Sequence, residues 1–325
     1  MSKWTSLAFV ALAACSAISS KDGVQSSMPT TPLKVTLATA TPGGGFPVYG
    51  AAFKAAIEET DPSITIETIN TKGSAENVPL LEQRKMDLAL VQGEAAYEAL
   101  AGVNRNGPAD MKILWAMYSS PGMFVVRADS PYRTIQDLKG KTVAWGAKGS
   151  GLVLLAGYTL DPLGLNRDKD FTPVYLDRAG DGPAMVQDGR AAALWGGGLG
   201  WPGFATMADS PGGARFIVPT KEEVARITAK HKFLKPITIP AGSYRGMTQE
   251  LQSVGSWSFV FARTDLPEET AYRLARALHK AEPALVKHLA AANESTAANT
   301  WMAPADRATL HPGVARYLRE AGIAR

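Results

Sequence analysis

Four glycine-rich loops hold most of the residues that could grip a ligand. The first, Thr39-Ala-Thr-Pro-Gly-Gly-Gly-Phe46, follows a strand-like stretch and precedes a helix-like one. Consecutive glycines let the backbone come close to a ligand, and a helix start offers unpaired N–H groups and a positive dipole end. A carboxylate or phosphate suits such a place. Taken alone, so does a tight turn with no ligand. Asn70-Thr-Lys-Gly-Ser-Ala-Glu-Asn77 repeats the arrangement, as does Gly146-Ala-Lys-Gly-Ser-Gly151 with Lys148 and Ser150. A fourth loop, Gly196-Gly-Gly-Leu-Gly-Trp-Pro-Gly203, follows Trp195. Four such loops at strand ends predict a cleft lined by backbone donors, where a small carboxylate meets Gly43–Phe46, Ser74, Asn77 and Gly149–Gly151. Lys72, Lys148 and Arg178 are its candidate cations, each equally readable as a solvated surface charge. Phe46, Trp195 and Trp201 are candidate apolar walls, and Trp195 also reads as core at a strand end.

Catalytic patterns do not assemble. Gly140-Lys141-Thr142 looks like the end of a P-loop, but Ile135 stands where the first glycine belongs. Gly198-Leu-Gly-Trp-Pro-Gly203 spells G-x-G-x-x-G, with Glu222 and Glu223 at a suitable distance, yet Trp201 and Pro202 crowd a turn that must hug a pyrophosphate. Ser150 lacks the glycine two residues earlier that a nucleophile elbow requires. The chain has four histidines and one cysteine. His231, His279, His288 and His311 form no paired ligand spacing, and His279 and His288 read as solvated. No metal, no cofactor and no enzyme activity are expected.

The elements that must position these loops alternate. Strand-like stretches at Lys34–Ala38, Ile64–Ile69 and Asp87–Val91 are separated by helix-like Val48–Glu59 and Asn77–Lys85, which predicts a mostly parallel α/β sheet. The pattern restarts with strands at Thr142–Trp145, Pro173–Leu176, Ala191–Trp195 and Arg215–Val218, and a helix at Leu152–Leu163. Met123–Ala128 and Trp257–Arg263 read as strands crossing between two lobes. The helical stretches Leu266–Leu289 and Ala305–Ala321 then return to the first lobe. The expected division is residues 34–122 plus 258–325 for one lobe and 123–257 for the other, with the cleft at the carboxyl ends of the strands.

With 325 residues, 46% of them hydrophobic and 20% charged, the chain fits two domains or one large α/β unit, with enough apolar surface for real cores. A net charge of +4 without a Lys/Arg run argues against nucleic acid as a partner. Lys3 and the apolar run Leu7–Ala14 read as a signal peptide, too short to span a bilayer of roughly 20 apolar residues. Leu12-Ala13-Ala14-Cys15 has the spelling of a lipobox, so Cys15 is the expected lipidation site. It is also the only cysteine and has no disulfide partner. Residues 16–33 read as a flexible tether. The expected location is the periplasmic or cell-envelope side, anchored to a membrane by lipid.

Seven segments together resemble the TAXI family of solute receptors for TRAP transporters (tripartite ATP-independent periplasmic transporters). They are Thr39–Gly50, Lys72-Gly-Ser-Ala-Glu-Asn77, Met86-Asp-Leu-Ala-Leu-Val-Gln92, Asp137-Leu-Lys-Gly-Lys141, Gly146–Gly151, Ile239-Pro-Ala-Gly-Ser-Tyr244 and Leu310-His-Pro-Gly-Val-Ala-Arg-Tyr317, in the family's order. The resemblance implies a type II periplasmic-binding-protein fold, two α/β lobes on a two-strand hinge. It also implies a small organic acid, glutamate-like or a dicarboxylate, passed to a membrane permease. By motif position it implies that Gly43, Gly44, Gly45, Phe46, Ser74, Asn77, Gln92, Gly149, Ser150 and Gly151 stand near the ligand. Phe46-Pro47 departs from the family's frequent Tyr pair, and Lys72 from a frequent Gly. The alternatives are a receptor for an ATP-driven importer and a ligand-sensing subunit on the same fold.

Overall fold

The computed structural model describes residues 31–324; the signal peptide, lipobox and most of the tether expected from the sequence lie outside them. Strand β1 (Leu33–Ala38) sits between β2 (Ile64–Ile69) and β3 (Leu88–Val91), parallel to both. Parallel neighbours need crossovers, which are helices α1 (Gly45–Thr60) and α2 (Ser74–Glu82). The α1 helix buries Tyr49, Ala52, Phe53, Ala56 and Ile57. Those positions fall on one face of a 3.6-residue period, which docks it on the sheet.

Two long strands tie the molecule together. Strand β4 (Met111–Arg127) runs antiparallel to β10 (Leu251–Arg263), paired from Met111↔Arg263 to Pro121↔Gly255. Beyond Pro121 the partner changes. Gly122 to Val125 pair with β7 (Ala193–Gly197), and Phe124 to Arg127 pair with β8 (Ala214–Ile217) on the other edge. Strands β5 (Thr142–Ala147) and β6 (Thr172–Leu176) extend this second region in parallel beside β7, and β9 (Lys235–Ile239) pairs with the start of β10. The path is β2-β1-β3-β10-β4-β7-β5-β6, a curled mixed sheet in two lobes. The switch requires Gly122, because a β-carbon there would lie 2.6 Å from the Trp195 ring.

Each lobe has its own interior. The first is capped by α8 (Glu268–His288), which follows β10 and packs on α1, and by α10 (Pro312–Glu320). The second has a core on each face of its sheet. One face is built on Phe124, Trp145 and Trp195, with ring centroids 4.7–6.3 Å apart, and the other on Phe204, Met207 and Tyr244.

The strands expected from the sequence overlap β1 to β8 and β10. The expected crossing strand at 123–128 is the tail of one that begins at Met111. The continuous helix expected over 305–321 is a 3₁₀ turn at Arg307–Thr309 followed by α10. Pro312 explains the break: it has no N–H to give and suits the first helical turn. Helices α3 (Gly93–Ala101) and α7 (Lys221–Lys230) and strand β9 were not anticipated. Among the described residues no helix is long and apolar enough to cross a membrane.

Candidate functional site

All four glycine-rich loops leave the carboxyl end of a strand and enter a helix. The first links β1 to α1, the second β2 to α2, and the third β5 to α4 (Gly151–Leu160). The fourth links β7 to α6 (Pro202–Asp209). Together with the end of β3 and the middle of β4, they line one cavity between them. Its wall includes Thr41, Gly44, Gly45 and Phe46 from the first loop, Lys72, Gly73 and Ser74 from the second, and Gln92 after β3. From β4 and the second lobe come Tyr118, Ser120, Gly146, Ala147, Ser150, Leu152, Ala179, Gly197 and Trp201.

The lobes touch over this cavity through glycines. A β-carbon on Gly43 would lie 2.5 Å from the Gly180 nitrogen, and one on Gly73 3.0 Å from the Gly149 carbonyl oxygen. Both residues have positive φ, +81° and +106°, a region where only glycine is unstrained. The Ala75 N–H at the start of α2 donates to the Gly149 carbonyl at 3.1 Å, a direct hydrogen bond between lobes.

The polar character of the cavity comes mainly from backbone and neutral side chains. Helices α1, α2 and α6 start at Gly44, Gly73 and Trp201 with no side-chain cap, so their first N–H groups receive no side-chain acceptor. Ser74 Oγ accepts from the Gln92 N–H at 3.1 Å. The Gln92 side chain is buried, and its Nε2 has no hydrogen-bond partner in the protein. Burial pushes the Tyr118 phenol up, which keeps it a neutral donor. Lys72 is the only cation on this wall, and it is exposed. Dipoles and N–H donors at helix starts favour negative charge. Among the described residues there is no cluster of His, Cys, Asp and Glu able to hold a metal.

The model of the NMT1-like family matches residues 37–322. This chain belongs to the NMT1-like family. Its fold is that of periplasmic solute-binding proteins. The periplasmic aliphatic sulphonate binding protein SsuA from Escherichia coli aligns with a TM-score of 0.50 at 19% identity, over 89% of this chain and 84% of that one. Periplasmic binding protein BugD aligns with a TM-score of 0.55 at 12% identity, over 91% and 99%. A putative L-cystine ABC transporter from Listeria monocytogenes aligns with a TM-score of 0.50 at 14% identity, over 81% and 98%.

In this NMT1-like chain Gly44, Gly45, Phe46, Ser74, Gln92, Ser150 and Trp201 line the cavity. Gly43 and Gly149 are not on its wall and stand at close backbone contacts, and a β-carbon on Gly151 would lie 2.5 Å from the Gln92 Cβ. Four of the expected residues stand away from the cavity wall. Trp195 is core: it packs on Phe124 and Trp145, and its Nε1 donates to the Leu152 carbonyl at 2.8 Å. Asn77 is an internal brace. Its Nδ2 donates to the Thr39 and Leu90 carbonyls at 2.8 and 2.7 Å, and its Oδ1 accepts from Thr71 Oγ1 at 2.7 Å. Lys148 and Arg178 are exposed and do not line the cavity. The Tyr175 hydroxyl and Arg167 hold the Asp168 carboxyl low, with Lys148 a minor contributor.

Sequence reasoning missed Tyr118, Ser120 and the Ala179–Gly180 turn. A signal existed for the first two. Tyr118-Ser-Ser-Pro-Gly122 interrupts an apolar run with polar and turn-forming residues, which marks a place where β4 faces something other than core. The Ile239–Tyr244 segment also has a role that its sequence does not state. Tyr244 Oη donates to the Gly198 carbonyl at 3.0 Å and holds the fourth loop. The glycines of that loop accommodate Trp201, whose ring would lie 2.5 Å from a β-carbon on Gly196 and 2.3 Å from one on Gly203.

Proposed function

We propose that this chain is an extracytoplasmic receptor that traps a small organic acid, a glutamate-like amino acid or dicarboxylate, between its lobes. It hands the acid to the permease of a TRAP-type secondary transporter and does no chemistry on it. The lobes are taken as residues 34–122 plus 258–325 and residues 123–257. A lipid on Cys15 holds the protein at the membrane on the periplasmic side. The observation that carries this reading is the buried, unpartnered Nε2 of Gln92 on the wall of a cavity onto which uncapped helix starts open. A buried amide donor facing a cavity favours an acceptor there, and a bound carboxylate supplies one.

The sulphonate-binding neighbour supports a second reading on the same geometry, a sulfonate receptor for an ATP-driven importer. A thermal-shift screen of carboxylates, sulfonates, amino acids and neutral sugars separates the two. Solute at 100 times its dissociation constant stabilises by about 2.7 kcal/mol. Stabilisation by carboxylates alone supports the first reading, stabilisation by sulfonates alone the second, and stabilisation only by sugars refutes both. Solute recovered in altered form would restore an enzyme reading. Uptake assays in strains lacking a TRAP permease or an importer ATPase assign the transport partner.

A further inference from the structure

Two residues beyond the cavity-lining Gln92, the chain buries a carboxyl. Glu94 stands in the first turn of α3 and is fully shielded from solvent. Its Oε1 accepts a hydrogen bond from Ser256 Oγ at 2.6 Å, and Ser256 lies on β10, paired with Ser120 of β4. Ser120 itself lines the cavity. Glu94 Oε2 has no hydrogen-bond partner in the protein. A carboxyl is thus tied to the long strands that join the lobes, one layer behind the solute, with one oxygen unpaired.

An ionised carboxylate in such a place is disfavoured, because burial penalises its charge. Burial pushes Glu94 up to about 7, opposed by the Ser256 hydroxyl, the backbone at the start of α3 and the Gln92 amide. That amide reaches the Glu94 carboxyl as a donor. Glu98, one turn further along α3, raises Glu94 through its charge. From α4, Tyr158 donates to Glu98 at 2.8 Å and is the titratable group which that helix presents. The groups that act most on Glu94 include no charged side chain of β10 or α2.

We propose that Glu94 takes up a proton when an anionic solute enters the cleft, so that solute and proton are bound together. The proposal rests on the anion-binding reading of the cavity. An anion beside Gln92 adds negative charge next to Glu94, and that charge favours the neutral carboxyl. The anion also draws the Gln92 amide to itself and removes one influence that keeps Glu94 ionised. Both effects have the same sign. Linkage then makes solute binding tighter as pH falls. Affinity is level below pH about 7, where Glu94 is already protonated. Above that it weakens by up to about tenfold per pH unit, until the higher pKa of the complex is passed.

Titration calorimetry of the full chain with L-glutamate, succinate and taurine, at about pH 6.5 and about pH 8.5, tests this. Whichever anion binds should bind about tenfold or more weakly at the higher pH, and heats in buffers of different ionisation enthalpy should reveal proton uptake. Glu94→Gln, which imitates the protonated carboxyl, should bind equally well at both. Ser256→Ala removes a bond to the ionised form, so the weakening should begin at higher pH; this variant keeps the test open if Glu94→Gln does not fold. Equal affinities at both pH values, or a pH dependence that survives in Glu94→Gln, overturn the proposal alone. Failure of all three anions to bind overturns the anion-binding reading and the proposal with it.

Discussion

Gly43 and Gly180 meet so closely that a β-carbon on Gly43 would lie 2.5 Å from the Gly180 nitrogen. Backbone opposes backbone here, so no side chain can swing away to relieve the clash. This close contact depends on the absence of that one carbon.

Gly43→Ala should therefore hold the lobes apart. Solute affinity is expected to fall by about tenfold or more, and small-angle scattering with saturating solute should give a larger radius than the parent. Gly140→Ala is the control. It has a similar positive φ, +73°, and nothing within 4 Å of the added carbon. It should lose about 1–2 kcal/mol of stability from backbone strain and none of the affinity. If the two variants bind alike, the closure argument fails.

Gln92→Leu separates binding from folding. Below pH about 7, where Glu94 is protonated and does not draw on the amide, stability to urea should change little. A hydrogen bond to a charged solute is worth about 1.5–3 kcal/mol, so affinity should fall about tenfold to a hundredfold. A variant that binds as the parent does would remove Gln92 from the site.

The opposite pattern is expected for Asn77→Ala. It strands the Thr39 and Leu90 carbonyls and the Thr71 hydroxyl in the interior. The unfolding midpoint in urea should drop by an amount equivalent to about 1–3 kcal/mol for each buried group left unpaired. Lys148→Ala, at an exposed position, should change stability by less than about 0.5 kcal/mol. Weaker solute binding by Asn77→Ala at full stability would show that the brace assignment is wrong.

His311 sets an acid limit. It caps α10, with Nδ1 accepting from the Gly313 N–H at 3.3 Å and Nε2 3.0 Å from the Leu266 carbonyl. Burial holds its pKa below the ordinary value of 6.5. The folded state then prefers the neutral ring, so the contribution is complete above 6.5 and is lost as pH falls through the folded-state pKa. Chemical denaturation should show stability falling as pH drops below 6.5. In His311→Asn, which keeps a capping side chain, that part of the fall should disappear.

Much of the architecture was legible from the sequence. Short apolar strands alternating with helix-like stretches, and glycine-rich loops after four of them, declare an α/β chain with a cleft at its strand ends, because strand and helix periods are local properties. The NMT1-like match and the solved neighbours agree with that architecture. The loops that border the cavity could be named in advance for the same reason. Glycines before a helix are a local pattern.

The tertiary structure assigned the individual side chains. Asn77 and Gln92 are both buried amides beside the second loop, and nothing in their sequence surroundings distinguishes them. Folding gives Asn77 three protein partners and leaves Gln92 Nε2 without one. Trp195 and Trp201 stand six positions apart in one glycine-rich segment, yet one packs in the core and the other forms the cavity wall. Tyr118, Gly180 and Glu94 acquire their roles only through strands and loops distant in the chain. Composition and period determine which elements form and where their loops fall. Which polar atoms remain unpaired depends on groups brought together from across the sequence, and only the packed chain specifies those.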